Sequence, residues 1–123
     1  MYLLTNDNEK FKIDSIKHYS DFIKNIIEIE NDDFCKIDID IESNIYKKLE
    51  LLLNIEFNKN IFLNKNINKK YKEWFIINIA NYTFLKINEL FNIINLLDYL
   101  LFPEYIVCCF LEILAIKLKK HNL

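Results

Sequence analysis

The sequence predicts an α+β domain, and two observations carry that prediction, while a third argues against one class of binding site. Isoleucine and aspartate alternate over residues 37–41, a period of two that is typical of a strand with one buried face. In several longer segments apolar side chains recur at the spacing of amphipathic helices. The chain has no glycine and one proline, which argues against glycine-rich loops that bind phosphates or dinucleotides. A small sheet beside a cluster of helices follows.

The N-terminal segment predicts a hairpin followed by a helix. Two short strands are predicted at Tyr2–Leu4 and Phe11–Ile13. Residues 5–8 between them are Thr-Asn-Asp-Asn, and Asn and Asp form turns because they tolerate a left-handed backbone. Ser15 is the predicted cap of the first helix, which apolar spacing extends over residues 16–30.

The alternating strand is followed by a second helix that begins at Glu42 or Ser43. Its predicted buried stripe comprises Ile45, Leu49, Leu52 and Leu53. Residues 58–72 are rich in lysine and asparagine, and they predict a solvated connector rather than a nucleic-acid-binding patch. Apolar residues 74–85 fit a strand, a helix or one after the other.

Two helices are predicted in the remaining residues. The first begins near Asn88. Its predicted buried stripe comprises Leu90, Ile93, Ile94, Leu97 and Leu101. Pro103 fits the first turn of the last helix, which is expected to end near Lys120. The sequence thus predicts one domain over residues 1–123, with a three-stranded sheet packed against about five to six helices.

Composition and charge argue against several classes of partner. A net charge of -2, from 16 basic and 18 acidic residues, gives no reason to expect nucleic acid or an anionic membrane. The most apolar stretch, residues 105–116, is shorter than the roughly 20 residues that cross a bilayer. Three cysteines without a CxxC pair favour reduced thiols in a cytoplasmic or nuclear protein.

No set of side chains has the sequence pattern of a catalytic, cofactor or metal site. His18 lies off the apolar stripe, as surface histidines do. Asp38 and Asp40 share a strand face, but no second element is predicted to bring acids opposite them. Cys108 and Cys109 have no neighbouring histidine to activate a thiol. We therefore expect no enzyme activity and no cofactor, and a cysteine-dependent hydrolase or redox enzyme is the least favoured alternative.

Four segments carry a resemblance to a known family. Residues 3–14 combine an acidic turn with a Phe-x-hydrophobic-acidic strand, and residues 20–28 read SDFIKNIIE. Residues 37–49 place the alternating strand before Ile-x-Lys-Lys-hydrophobic, and residues 84–100, FLKINELFNIINLLDYL, end in Asp-Tyr-Leu. In this order the segments resemble the Skp family, the adaptors that join F-box proteins to cullin scaffolds in ubiquitin ligases.

The resemblance implies a BTB/POZ-like fold, shared with elongin C, and a non-enzymatic adaptor. Such a protein would bind a cullin on one face and an F-box-like or BC-box-like receptor helix on another. Asp98 and Tyr99 match the motif positions that face the cullin in the family. The alternative for Tyr99 is packing against Leu3 or the second helix. Phe102 and Tyr105 are the candidates for exposed contacts with a receptor helix.

The sequence also departs from the family. Leu96-Leu97 stand where the family has Ala-Ala, and the sequence ends at Leu123, where Skp proteins continue into two helices that help clamp the F-box. We therefore expect the cullin side to be better preserved than the receptor side. Two hypotheses stay open beside the adaptor: a self-associating BTB/POZ scaffold that forms homo-oligomers, and a virus-encoded adaptor that captures a host's ubiquitin machinery.

Overall fold

A computed structural model describes residues 1–29, 35–59 and 85–121, with side chains described up to residue 54 in the second range and residue 120 in the third. The elements are the strands β1 (Tyr2–Leu4), β2 (Lys10–Lys12) and β3 (Lys36–Asp38), and the helices α1 (Asp21–Ile29), α2 (Ser43–Lys59), α3 (Ile87–Tyr99) and α4 (Glu104–His121). The predicted α+β class is confirmed. The described ranges contain four helices. The further helices of the predicted five to six, most of the 58–72 connector and the apolar residues before Leu85 fall outside the described residues.

The N-terminal hairpin closes through polar side chains. β1 and β2 pair antiparallel, with β2 one residue earlier than predicted. The Thr5 hydroxyl donates to Asp7 and accepts from the backbone N–H of Glu9 at 3.0 Å. Asn8 has φ of 66°, a left-handed conformation that asparagine adopts more readily than most residues. The predicted turn is therefore confirmed, and its chemistry needs no glycine.

The sheet has the order β2-β1-β3, with β3 parallel to β1. Leu3 in the central strand pairs with Phe11 on one side and Ile37 on the other. The Phe11 ring packs against Tyr46 of α2, with centroids 4.7 Å apart. This row of side chains therefore joins the sheet to α2.

The β1–β2 turn also caps α2. The Asp7 carboxylate accepts hydrogen bonds from the Ser43 backbone N–H at 3.0 Å and from the Ser43 hydroxyl at 2.6 Å. These bonds, the Ser43 hydroxyl first and the Thr5 hydroxyl second, lower the pKa of Asp7 from 3.8 to about 2. A charged carboxylate therefore meets the positive end of the α2 dipole at neutral pH.

The predicted start of α1 is wrong. Ser15 lies in a run of turns over residues 14–19, and the helix begins only at Asp21. Ser20 is the cap instead, because its Oγ accepts a hydrogen bond from the Ile23 backbone N–H at 3.1 Å. The turns bury their apolar side chains without a regular helix, so the spacing reflected core contact rather than helix formation.

Side chains from the four described helices and from β1 and β3 meet in one core. Its members include Leu3, Tyr19, Ile23, Ile37, Tyr46, Leu49, Leu53, Leu90, Ile93, Leu97, Ile106, Phe110 and Ile113. The predicted α2 stripe is buried throughout. The predicted α3 stripe is wrong at Leu101, which is 51% exposed because the helix has already ended. In α4, Cys109 is buried and Cys108 is exposed, as expected for adjacent helical positions.

Candidate functional site

Asp98 and Tyr99 form the last turn of α3, and both side chains are exposed. Tyr99 is 52% exposed. Its ring contacts the ring of Phe22 in α1, with centroids 5.4 Å apart and planes inclined at 40°. The aromatic partner of Tyr99 thus comes from α1, where the sequence had suggested Leu3 or the second helix.

A Schellman motif ends α3 directly after Tyr99. The backbone N–H of Phe102 donates to the Leu97 carbonyl at 3.0 Å, and the N–H of Leu101 donates to the Asp98 carbonyl at 3.1 Å. Leu101 has φ of 54°. This conformation costs leucine roughly 1–2 kcal/mol, because its Cβ approaches a carbonyl oxygen. The chain therefore accepts local strain to stop the helix here.

The start of α1 docks on the same end of α3. The Ser20 hydroxyl donates to the Leu100 carbonyl at 2.6 Å, and the Asp21 backbone N–H donates to the Leu101 carbonyl at 3.2 Å. Unpaired donors at one helix start thus meet unpaired acceptors at another helix end. The opposite ends of two helix dipoles also face each other. We call this contact the α1–α3 joint; it fixes Tyr99 and Phe22 relative to each other.

Two grooves adjoin the joint. The apolar groove has a volume of about 380 Å³ and is lined by Phe22, Ile26, Ile29, Cys35, Lys36, Ile37, Asp38 and Tyr99. The acidic groove has a volume of about 350 Å³ and is lined by Asp38, Asp40, Asn92, Asn95, Leu96 and Tyr99. Asp38 and Tyr99 line both, so the grooves adjoin along β3. Asp38 and Asp40 were predicted to share a strand face with no acids opposite them; in the structure, Asn92, Asn95, Leu96 and Tyr99 of α3 line the groove with them.

The expected exposure of Phe102 is wrong. Phe102 is 7% exposed and stacks on Tyr19, with centroids 5.8 Å apart and planes inclined at 20°. The Schellman motif explains this, because it turns the chain back toward the core immediately before Phe102. Tyr105 is half-buried against the core. The exposed large apolar side chains among the described residues of α4 are instead Leu111 and Leu118, and their seven-residue spacing outside the buried stripe was the available signal.

An ion pair that the sequence did not predict lies near the start of α3. Glu89 is 6% exposed, and its oxygens lie 2.8 and 3.0 Å from Lys48 Nζ of α2. The backbone N–H of Lys86 also donates to Glu89, at 2.9 Å. Burial raises the pKa of Glu89, but the hydrogen bonds from Lys48 and Lys86 outweigh it, so the pKa is lowered overall. Local spacing gives no sign of this pair, because 41 residues separate its partners.

The remaining reactive side chains are dispersed over the described ranges. His18 lies beside Asp14, Ser15 and Asn54 in a shallow surface depression. Among the described residues, no three His, Cys, Asp or Glu side chains converge in a way that could hold a metal ion. No helix within those residues combines the length and apolar character needed to cross a membrane.

Comparisons with protein-family models, with curated proteins and with solved structures found no match to this chain. The resemblance to the Skp family therefore rests on the four quoted segments. The α1–α3 joint does not depend on that resemblance, because it is described from hydrogen bonds between residues 20–21 and residues 100–101.

Proposed function

We propose that this chain is a non-enzymatic adaptor of the Skp type, with a BTB/POZ-like fold, that links a cullin scaffold to a substrate receptor in a ubiquitin ligase. The observation that carries the proposal is Tyr99, a half-exposed aromatic side chain at a helix end that hydrogen bonds join to the start of α1. Asp98 and Tyr99 are the cullin-facing positions that the resemblance implies.

The geometry of Tyr99 suits a binding anchor. Tyrosine is enriched among residues that dominate interface energetics, because one ring buries a large area and its hydroxyl remains hydrogen-bonded. The Phe22 contact and the α1–α3 joint hold the ring before any partner arrives. A preorganised side chain loses less conformational entropy on binding, so more of the contact energy appears as affinity.

The order of elements supports the BTB/POZ part of the proposal. A hairpin, a helix, a third strand and a second helix occur in the order that the sequence predicted. The receptor side of the proposal rests on α4. Because Phe102 is buried, the candidate contacts there become Tyr105, Leu111 and Leu118.

Binding of a cullin N-terminal domain, measured by titration calorimetry, tests the proposal. Wild type should bind, and Tyr99→Lys should weaken binding about 30-fold, as expected for loss of an anchor worth roughly 2 kcal/mol. Phe91→Lys is the matched control, because Phe91 is on the same helix, is 49% exposed and lines neither groove. A folded Tyr99→Lys protein that binds as tightly as wild type would contradict the assignment of Tyr99.

A self-associating scaffold is the second candidate, and the exposed apolar side chains of α4 favour it. Leu111 and Leu118 are 46% and 36% exposed on one helix. An apolar face of this kind can bind a second copy as well as a receptor helix. Light scattering separates the two functions: a dimer that persists on dilution favours the scaffold, whereas a monomer that binds a cullin domain favours the adaptor.

A further inference from the structure

We infer that the apolar and acidic grooves together bind one segment of the cullin-type partner. That segment places an aliphatic or aromatic side chain against Phe22 and Ile29, and a lysine or arginine side chain beside Asp38 and Asp40. The inference rests on the proposed function and specifies the partner's chemistry at the Tyr99 surface.

The shape of the surface supports a single occupant. Both grooves share Asp38 and Tyr99, so a segment that crosses the Tyr99 ring contacts both. The apolar groove offers exposed aliphatic area, since Ile29 is 82% exposed. A hydrophobic side chain placed there would remove that area from water. The partner therefore needs an apolar residue on one side of Tyr99 and a polar residue on the other.

The charge of the acidic groove specifies that polar residue. Asp38 and Asp40 line it with the amides of Asn92 and Asn95, and none of the described residues that line it is a lysine. Asp38 lies 3.7 Å from Lys36, but both side chains are largely exposed, and such pairs neutralise each other weakly. Asp40 accepts one hydrogen bond, from the Asn6 side chain at 3.2 Å. Two adjacent carboxylates thus remain available to a cationic side chain.

The competing explanation is that these charges only protect an edge strand. Aspartates and lysines on edge strands discourage pairing with other chains. That role requires no opposing wall, whereas Asn92, Asn95 and Tyr99 of α3 face the aspartates across the acidic groove. The two explanations also predict different consequences of neutralisation: weaker partner binding in one, and increased self-association in the other.

The decisive variant is Asp38→Asn/Asp40→Asn, because asparagine removes both charges and can still accept the Asn6 hydrogen bond. Its control is Asp14→Asn/Glu112→Gln, which removes two exposed charges outside both grooves. Affinity for a cullin N-terminal domain is measured at about 50 mM and about 500 mM salt, which screen exposed charges to different degrees. The groove variant should bind about tenfold more weakly at low salt and show a shallower salt dependence, while the control stays within about twofold of wild type.

A second variant tests the apolar side. Ile29→Ser removes an exposed aliphatic side chain at the end of α1, so its effect on folding should be small. It should weaken binding about threefold at both salt concentrations, because an apolar contact is not screened. Thermal melts confirm that each variant is folded.

The outcomes separate this inference from the proposed function. If Tyr99→Lys weakens binding while the groove variant retains wild-type affinity and salt dependence, the inference is overturned and the adaptor stands. If the groove variant self-associates and binds the cullin domain as wild type does, edge protection replaces the inference. If wild type does not bind a cullin domain, the proposed function and this inference both fall.

Discussion

The two ends of α3 differ in what satisfies their polar groups. Near its start, the buried Glu89 carboxylate accepts hydrogen bonds from the Lys48 ammonium and from a backbone N–H, so its negative charge is neutralised inside the fold. At its end, hydrogen bonds join the backbone to α1, while the Asp98 and Tyr99 side chains remain exposed. One helix thus has a closed end that stabilises the fold and an open end that is available to a partner.

The difference separates stability from binding along one helix. Substitutions near Glu89 should affect the free energy of unfolding, because they leave a buried charge without its partner. Substitutions of exposed side chains at Tyr99 should affect binding and leave folding nearly unchanged. Substitutions in the α1–α3 joint should affect both stability and binding, since its hydrogen bonds stabilise the fold and also position Tyr99.

The largest expected effect is at the closed end. Lys48→Ala should lower the free energy of unfolding by about 2–3 kcal/mol, because Glu89 is left buried and without its ammonium. Urea denaturation measures the change. Lys47→Ala is the matched control: Lys47 pairs with Glu9 at 3.5 Å with both side chains exposed, so the loss should be below about 0.5 kcal/mol. If the two variants lose the same free energy of unfolding, the expected difference between the buried and the exposed ion pair is wrong.

The same experiment has a pH dependence with a definite sign. Because the folded pKa of Glu89 is lowered, its contribution is complete above the ordinary carboxyl pKa and is lost as pH falls through the folded value. The stability gap between wild type and Lys48→Ala should therefore narrow in acid.

A smaller loss is expected at the joint. Ser20→Ala removes the α1 cap and a donor to the Leu100 carbonyl, so the free energy of unfolding should fall by about 1–2 kcal/mol. Ser15→Ala, at the cap that the sequence predicted, should change it by less than about 0.5 kcal/mol. The variants are compared by their urea midpoints. A larger effect at Ser15 than at Ser20 would contradict the observed start of α1.

The smallest effect should be a gain. Leu101→Gly relieves the left-handed backbone, and we expect a stabilisation of about 1 kcal/mol, reduced by the greater freedom of glycine when unfolded. Leu111→Gly changes a similarly exposed leucine inside a regular helix and should destabilise the protein by about 1 kcal/mol. A rise in melting temperature for Leu101→Gly and a fall for Leu111→Gly would support strain at Leu101. A lower melting temperature in both proteins would argue against it.

Periodic patterns predicted the features that depend on local sequence. The alternation at residues 37–41 predicted the alternating burial of that stretch correctly, but β3 itself ends at Asp38. Apolar spacing located the buried stripe of α2, because a side-chain period follows directly from backbone geometry. The prediction of where α1 starts failed for a physical reason. Ile16 and Tyr19 lie in turns that bury their side chains, and apolar spacing does not distinguish a turn in the core from a helix.

The candidate site was predicted only in part. The Asp-Tyr-Leu string drew attention to Tyr99, but its Phe22 partner and the opposing wall of the acidic groove depend on contacts between distant segments. Phe102 was misplaced because a Schellman motif normally shows itself by glycine, and here leucine occupies that position.

The Ser20–Leu100 hydrogen bond has a consequence for folding. It joins residues 80 positions apart, so the α1–α3 joint closes a long loop of chain. Contacts of such separation form only after much of the loop entropy has been lost, which is characteristic of late steps in folding. The Phe22–Tyr99 contact, between residues 77 positions apart, closes a loop of similar length. A partner that requires both rings would discriminate the completed fold from its intermediates, so binding at Tyr99 would also report that folding is finished.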